Sequence, residues 1–180
     1  MIVIKLGGSL VAANTLLDCL NRIEQNYQNA IIVAGGGIFA EQVRIAQQHW
    51  QFTDDAAHAM AILAMQQTAW LIKGLKPNFV LVNSVHALQQ RRKQISLWLP
   101  DVQELNQAGI APSWDITSDS LAAWLASVLQ AQELILVKSA VIDPQLSLEQ
   151  LQAQGIVDKA FCAMVTRKSV NLRVIYQQNL

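Results

Sequence analysis

Two short apolar segments that each end in glycine constrain the fold of this 180-residue chain more than any other feature. The first reads MIVIKLGGSL from residue 1, and the second reads AIIVAGGGIFA from residue 30. Runs of β-branched residues favour strands, and glycines after a strand let an anion such as phosphate approach the backbone N–H groups. Two such loops predict a protein that handles phosphate at two places.

The remaining apolar segments predict a sheet that is covered on both faces. They are continuously apolar rather than alternating, which is typical of buried parallel strands. Between them lie segments with the helical period, of which the longest runs from about Asp55 to Ile72. Strands that alternate with helices predict an α/β fold with a doubly wound, mainly parallel sheet sandwiched by helices. The predicted strands are MIVIKL, AIIVA, NFVLVNS, QISLWL, ELILVK and LRVIYQ.

The charge of the chain bears on its partners. Thirteen basic and 13 acidic residues balance, so the composition gives no electrostatic reason to expect a nucleic acid partner. The basic cluster of Arg91, Arg92 and Lys93 is interpreted as a solvated helix end or loop. Charged residues make up only 14% of the chain, against about 25% in typical domains, which predicts a homo-oligomer. The alternative is that the abundant glutamines fill the exposed positions.

Length and cysteine usage predict a single domain in the cytoplasm. No apolar run approaches the roughly 18 residues that a membrane span requires. The first strand begins at the first residues, without a basic leader segment. Cys19 and Cys162 lie far apart in apolar helical patterns and lack metal-ligand spacing, so both are expected to be buried thiols in a reducing compartment.

Lys5 is the first candidate functional residue. Ligands of doubly wound sheets bind at the carboxyl ends of the strands, and Lys5 lies next to last in the first strand, directly before Gly7 and Gly8. A lysine inside an apolar strand is costly, which favours a role in binding a phosphoryl oxygen. The alternative is a plain turn in which the lysine extends to solvent from the strand end.

The second glycine loop matches a dinucleotide fingerprint in part. Gly35 to Ala40 fits G-x-G-x-x-G/A, but a dinucleotide site also requires an acidic residue at the end of the next strand, about 20 residues further on. That distance reaches Asp54 and Asp55, which open the predicted helix instead. A dinucleotide-dependent oxidoreductase therefore remains a weaker alternative, and the sequence contains no G-x-x-x-x-G-K-[ST] loop.

Two further segments bring polar residues to the same edge of the sheet. In SWDITSDSLAAWLA, a helix begins near Ser118 with Thr117 or Ser118 as its cap and Asp119 in its first turn, which helix capping alone would explain. In LILVKSAVIDP, a buried strand ends in Lys138 and Ser139.

The ordered set IKLGGS, AGGG, DITSDSLAAWLA and a later apolar strand resembles the amino acid kinase family over nearly the whole chain. That resemblance implies an α/β sandwich that transfers the terminal phosphoryl group of ATP to a carboxylate or a phosphate. It also implies a small-molecule substrate and Mg²⁺ that bridges the ATP phosphates, with Asp119 indirectly involved and few direct metal ligands from the protein.

The resemblance assigns roles to particular positions. Lys5 corresponds to the lysine that stabilises the transferred group, and Asp119 to the aspartate that orients the active-site lysines. The later G-G-M-x-x-K segment of the family is absent, and Lys138, Lys159 and Lys168 are possible replacements, of which Lys138 is favoured. Implied nucleotide-binding residues are Gly7, Gly8, Ser9, Ser118 and Ser139, and implied acceptor-binding residues are Gly35, Gly36, Gly37, His58 and Asp115.

Within the family, the chain is most similar to the branch that phosphorylates aminomethylfuran-methyl phosphate in methanofuran biosynthesis. DDAAHAMAILAMQQTAW, SWDITSDSLAAWLA and GIVDKAF support this branch, whereas isopentenyl phosphate kinases carry a histidine near the position of Glu41. The resemblance implies an acceptor-binding lobe at 1–112 and an abbreviated nucleotide-binding lobe at 113–180. A non-catalytic binding homologue remains an alternative, as does a purely structural role for His58.

Overall fold

The fold is built on one parallel sheet. The computed structural model describes residues 1–91, 93–165 and 170–180, so Arg92 and Lys168 lie outside the described residues. All six predicted strands are confirmed, with ends that differ by up to two residues from the predicted runs. The strands are β1 Ile2–Leu6, β2 Ala30–Ala34, β3 Val80–Val82, β4 Ile95–Trp98, β5 Glu133–Lys138 and β6 Asn171–Tyr176.

The order of the strands creates a crevice in the middle of the sheet. That order is β3-β4-β2-β1-β5-β6, and every pair of neighbours is parallel. The chain leaves β1 towards β2 but leaves β5 in the opposite direction, towards β6. In open parallel sheets ligands bind where the connections diverge in this way, outside the carboxyl ends of the strands. Lys5 and Lys138 lie at those ends of β1 and β5.

Helices cover both faces of the sheet, as predicted for an α/β fold. The long helix expected from Asp55 to Ile72 extends from Asp54 to Leu75, and the Thr53 hydroxyl at its N-cap accepts a hydrogen bond from Ala56 N. The helices of the described residues are α1 Ser9–Ala12, α2 Leu16–Asn26, α3 Gly37–Trp50, α4 Asp54–Leu75, α5 Val85–Gln90, α6 Val102–Gln107, α7 Ser118–Val128, α8 Leu148–Ala153 and α9 Phe161–Val165, followed by a 3₁₀ turn at Gln177–Asn179.

Alternation along the strands divides the core into two layers. Val3 packs in the layer that contains α7, whereas Ile4 and Leu6 pack in the layer that contains α2. Since side chains of a strand alternate between the two faces, Lys5 shares the face of Val3. By the same rule Lys138 shares the face of Leu134 and Leu136, which also lie in the α7 layer. Both lysines therefore project from the sheet towards α7.

Large apolar side chains remain exposed on the outer surface of α4. Leu63 and Trp70 follow the helical period, yet 52% and 59% of their surfaces are exposed. The buried side of the helix includes Ile62, Met65 and Ala69, and Ile62 and Ala69 directly precede Leu63 and Trp70 in sequence. Among the described residues, no helix has the length and apolar character required to cross a bilayer.

Candidate functional site

The two glycine loops lie against each other. Leu6 and Ala34 are register partners at the ends of β1 and β2, so the loops that follow them emerge side by side. A Cβ atom on Gly8 would lie 2.4 Å from the backbone nitrogen of Gly37, and one on Gly35 would lie 2.6 Å from the nitrogen of Gly8. Such distances exclude any side chain, so glycine is required for this contact. The loops thus form one site rather than two.

Next to the loops, Asp119 bridges two lysines. The ammonium nitrogen of Lys5 lies 2.9 Å from Oδ1 of Asp119, and that of Lys138 lies 2.8 Å from Oδ2. Lys5 and Asp119 are buried, with 4% and 5% of their surfaces exposed. Two positive charges and one negative charge leave this cluster with a net charge of +1, which suits it to bind an anion.

The surroundings decide the ionisation of the cluster. Burial alone would raise the pKa of Asp119, but the ammonium groups of Lys5 and Lys138 outweigh burial and hold that pKa below its usual value. Burial, followed by the charge of Lys5, lowers the pKa of Lys138 to about 8, while Asp119 opposes the shift. At neutral pH the carboxylate is therefore ionised, and Lys138 is protonated but close to its titration range.

A distant carboxylate holds the start of α7, which carries Asp119. Thr117 occupies the N-cap position, but its side chain caps no helical N–H group. Instead, Oδ2 of Asp158 accepts hydrogen bonds from Thr117 N at 2.8 Å, from the Thr117 hydroxyl at 2.8 Å and from Ser120 N at 3.0 Å. Oδ1 of Asp158 accepts a bond from the Ser120 hydroxyl. The expectation that Thr117 or Ser118 caps this helix is corrected, because the cap comes from Asp158, which sequence analysis did not single out.

Beside the Gly35–Gly37 loop lies a cavity of about 210 Å³. The Gly35–Gly37 loop and Ser118 line it together with His58, whose side chain projects from α4. His58 is 7% exposed, and its Nε2 has no hydrogen-bond partner among the described residues. Burial lowers the pKa of His58 against the opposing charge of Asp55, so the ring is neutral at pH 7. His58 therefore contributes to the cavity wall, whereas its Nε2 is itself buried, and a buried polar atom without a partner requires an explanation.

The mouth of this cavity is formed by residues that sequence analysis missed. The guanidinium carbon of Arg44 lies 3.9 Å from the ring centroid of Trp114, within the range of a cation–π contact. The indole N–H of Trp114 donates to Oε1 of Gln47 at 2.6 Å, and Nε2 of Gln47 donates to Asp54 at 2.8 Å. No spacing signal could have revealed this group, because Trp114 lies 67 positions from Gln47 in sequence.

The other predicted site residues occupy separate positions around the cluster. The hydroxyls of Ser9 and Ser139 lie 2.8 Å apart, which joins the loop after β1 to the loop after β5. Asp115 pairs with Lys159 at 3.0 Å, and this lysine is 79% exposed. Gly7 N donates to Val137 O at 3.1 Å. Among the described residues, no group of three His, Cys, Asp or Glu side chains could hold a metal ion.

Comparison with known proteins identifies relatives of this chain. The sequence profile of the amino acid kinase family matches residues 1–140. The (5-(aminomethyl)furan-3-yl)methyl phosphate kinase of Methanocaldococcus jannaschii is 30% identical over 144 residues, which are 76% of this chain and 64% of that protein. The match thus spans less than two thirds of the length of the relative.

Two solved structures share the fold. Uridylate kinase from Archaeoglobus fulgidus superposes with a TM-score of 0.74 at 16% identity, and the match covers 99% of this chain and 92% of that one. Aspartate kinase from Synechocystis superposes with a TM-score of 0.71 at 14% identity, and the match covers 99% of this chain and 38% of that one. At these identities the likeness establishes the architecture of the sheet and its helices.

Proposed function

The chain belongs to the amino acid kinase family, and we propose that it transfers the terminal phosphoryl group of ATP to a small acceptor that carries a phosphate or a carboxylate. The observation that carries this proposal is the Lys5–Asp119–Lys138 cluster beside two glycine loops in contact. Phosphoryl transfer depends mainly on positioning and on neutralising charge, and buried ammonium groups held by a carboxylate suit that task.

In the proposed mechanism the two lysines of the cluster share one role and Asp119 has another. The ammonium groups of Lys5 and Lys138 neutralise the charge on the oxygens of the transferred phosphoryl group. Asp119 accepts a hydrogen bond from Lys138 and forms an ion pair with Lys5, so the spacing of the two lysines is set before substrates bind. Preorganised charge of this kind requires no rearrangement during the reaction. Gly7, Gly8, Ser9, Ser118 and Ser139 are proposed to hold the nucleotide phosphates.

The acceptor is proposed to bind in the cavity beside Gly35, Gly36 and Gly37, with His58 as a contact. Asp115, which does not line this cavity and pairs with Lys159, is proposed as a further contact to the acceptor. The cavity equals about seven water volumes at ~30 Å³ each, which suits a compact acceptor. Because the archaeal relative is an aminomethylfuran-methyl phosphate kinase, we take such a furan monophosphate as the proposed acceptor. The product would be a diphosphate.

ATP and Mg²⁺ are the proposed cosubstrate and metal. Asp119 is already engaged by two lysines, and the described residues offer no group of three metal-ligating side chains. Mg²⁺ is therefore proposed to arrive on the ATP phosphates, where it would offset their charge. Residues 1–112 would form the acceptor lobe and 113–180 the nucleotide lobe, and the use of ATP would place the protein in the cytoplasm.

A homo-oligomer is proposed as the working form. Two apolar stripes remain on the surface of α3 and α4, and large exposed apolar groups of this kind are typical of protein interfaces. Their members are Ile38, Ile45, Met60, Leu63 and Trp70.

A non-catalytic binding protein is the second candidate, because the sequence lacks the G-G-M-x-x-K segment. The retained Lys5–Asp119 pair weighs against it. The third hypothesis, an oxidoreductase, has less support, because Asp54 and Asp55 lie in the first turn of α4 rather than at a strand end.

The deciding experiment follows ATP consumption by the purified protein with Mg²⁺, with and without the aminomethylfuran monophosphate, and identifies products by mass. We expect ADP and a furan diphosphate in equal amounts. Binding of ATP without turnover would favour the non-catalytic homologue. Absence of ATP binding would refute the proposed nucleotide site.

A further inference from the structure

The carboxylate of Asp158 accepts four hydrogen bonds at the start of α7. Two come from the backbone N–H groups of Thr117 and Ser120, and two come from the hydroxyls of the same residues. Asp158 lies in the loop between α8 and α9, 38 residues from Ser120. Helix caps are usually supplied by the N-cap residue itself. Here a different part of the chain satisfies N–H groups that would otherwise lack partners.

The same loop is attached to its surroundings on both sides of Asp158. Ala160 N donates to Asp115 O at 3.0 Å, and Phe161 is fully buried against the core layer of α7. Val157 is also buried. The loop therefore cannot swing away from α7 without exposing apolar surface. Such anchoring makes Asp158 a fixed reference point for the first turn of the helix.

Asp119 lies between the two residues that Asp158 binds. The bonds to Thr117 and Ser120 fix the backbone on either side of Asp119. Any rotation of this first turn would move the Asp119 carboxylate away from Lys5 and Lys138, which it holds at 2.9 and 2.8 Å. The geometry of the cluster therefore depends on the cap.

We propose that Asp158 is a positioning residue of the phosphoryl-transfer site, whose carboxylate fixes the first turn of α7 so that Asp119 holds Lys5 and Lys138 at their working distance. This inference rests on the proposed function for its kinetic consequences. Its structural part is that Asp158, in the C-terminal part of the chain, controls the lysine cluster through the cap of α7. This part can be tested by titrating Lys138, without any measurement of turnover.

The charge of Asp158 also acts on Lys138. The charged groups that act on Lys138 are Lys5 on β1, Asp119 on α7 and Asp158 on the α8–α9 loop. Burial and Lys5 lower the pKa of Lys138, whereas Asp119 and, more weakly, Asp158 raise it. Removing the Asp158 charge is therefore expected to lower the pKa of Lys138 further. A fall in kcat when the charge is kept but displaced, as in Asp158→Glu, reports on the positioning role separately.

The test uses Asp158→Asn, which preserves size, removes the charge and turns one acceptor into a donor. That donor would face either the N–H groups of Thr117 and Ser120 or the Ser120 hydroxyl. Asp101→Asn is the matched control, because Asp101 caps α6 through Glu104 N at 2.9 Å and is not part of the cluster. Ser120→Ala removes one of the four bonds and leaves the carboxylate in place. Each full-length variant is assayed for kcat and KM across pH, and the Lys138 side chain is titrated by NMR.

For Asp158→Asn we expect kcat to fall at least tenfold with a small change in KM for ATP, and the Lys138 titration to move to lower pH. Ser120→Ala should lower kcat less than Asp158→Asn does, and it should leave the Lys138 titration near pH 8 because the Asp158 charge is retained. Asp101→Asn should behave as the wild type.

Wild-type kcat and an unchanged Lys138 titration in Asp158→Asn would overturn the proposal. If Asp158→Asn does not fold, Asp158→Glu replaces it, since it retains the charge but displaces it. Asp158→Glu should then lower kcat while keeping the titration near pH 8, and full activity would contradict the positioning role. If the wild type turns over no acceptor, the proposed function fails, but the NMR titration still tests whether Asp158 controls the cluster.

Discussion

At the scale of single residues, the candidate site contains ionised side chains in buried positions, where burial disfavours the charged form. Lys5 and Lys138 are held beside each other because one carboxylate, Asp119, forms ion pairs with both. Removing one partner of a buried ion pair leaves a poorly compensated charge, whose cost is about 3–5 kcal/mol.

Lys5→Ala is expected to abolish phosphoryl transfer, with kcat reduced about 10²-fold or more, because one of the two ammonium groups is lost. Asp119 keeps its bond to Lys138, so the fold should persist, as circular dichroism and thermal unfolding would show. Lys76→Ala is the matched control, since Lys76 pairs with Glu24 at the opposite end of the sheet and should retain full activity. Normal turnover in Lys5→Ala would rule out the mechanism.

We expect Lys138 to set the pH dependence of kcat/KM for ATP. Its pKa of about 8 in the free protein means that the ammonium charge is present below pH 8 and is lost as the pH rises through that value. We expect kcat/KM to fall on the alkaline side of about pH 8. Asp119 stays ionised across this range because its pKa is lowered. In Lys138→Arg the alkaline fall should disappear, and its persistence would assign that limb to another group.

At the scale of elements, the site depends on two loops approaching more closely than side chains permit. Gly8 meets Gly35 and Gly37 through backbone atoms alone. Gly37 also has a φ of +54°, which glycine adopts without strain. Adjacent parallel strands bring the loops to the same edge, and the absence of Cβ atoms then allows the contact.

Gly8→Ala is expected to separate the two loops, because its Cβ would lie 2.4 Å from the nitrogen of Gly37. Activity should fall at least tenfold, with KM for both substrates raised, since both loops are displaced. Gly74→Ala in α4 is the control, because its Cβ would meet no atom within 4 Å and alanine favours helices by up to about 1 kcal/mol. That variant should keep full activity and unfold at a slightly higher temperature. Equal activity of the two variants would contradict the role of the loop contact.

At the scale of the whole molecule, the outer helices are more apolar than an isolated domain requires. Leu63 and Trp70 on α4 are more than half exposed, and Ile38 and Ile45 on α3 are similarly exposed. Each pair is seven residues apart and therefore shares one face of its helix. Since charged residues make up only 14% of the chain, few charges oppose association of these faces.

The variant that combines Leu63→Glu with Trp70→Glu is expected to be a monomer, because two charges in an apolar interface cannot be desolvated without cost. Light scattering coupled to size exclusion would compare its mass with that of the wild type, which we expect to be at least a dimer. Leu17→Glu on α2 serves as the control and should leave the mass unchanged. A monomeric wild type would refute the oligomer.

The sequence by itself determined the elements of this protein and part of its site. Continuous apolar runs identified the strands, most clearly the four central ones, because burial on both faces leaves a local signature in composition. The edge strand β6 is only partly buried, and its run contains Arg173. Lys5 stood out for the same local reason, since a lysine within such a run requires explanation. The approach of Gly8 to Gly37 and the ion pair between Asp119 and Lys138 could not be predicted from local sequence patterns. They depend on strand order and register, which bring together residues that local patterns cannot relate.

Only the tertiary structure decided what caps α7, which residues surround the cavity beside Gly35–Gly37 and which side of α4 is exposed. Asp158 and Ser120 are 38 positions apart, and Trp114 and Gln47 are 67 apart. Such contacts leave no periodic trace, because they arise from the docking of one element on another. Leu63 and Trp70 were identified as part of a helix by their spacing, but spacing alone could not tell a face that meets the core from one that meets solvent or another subunit.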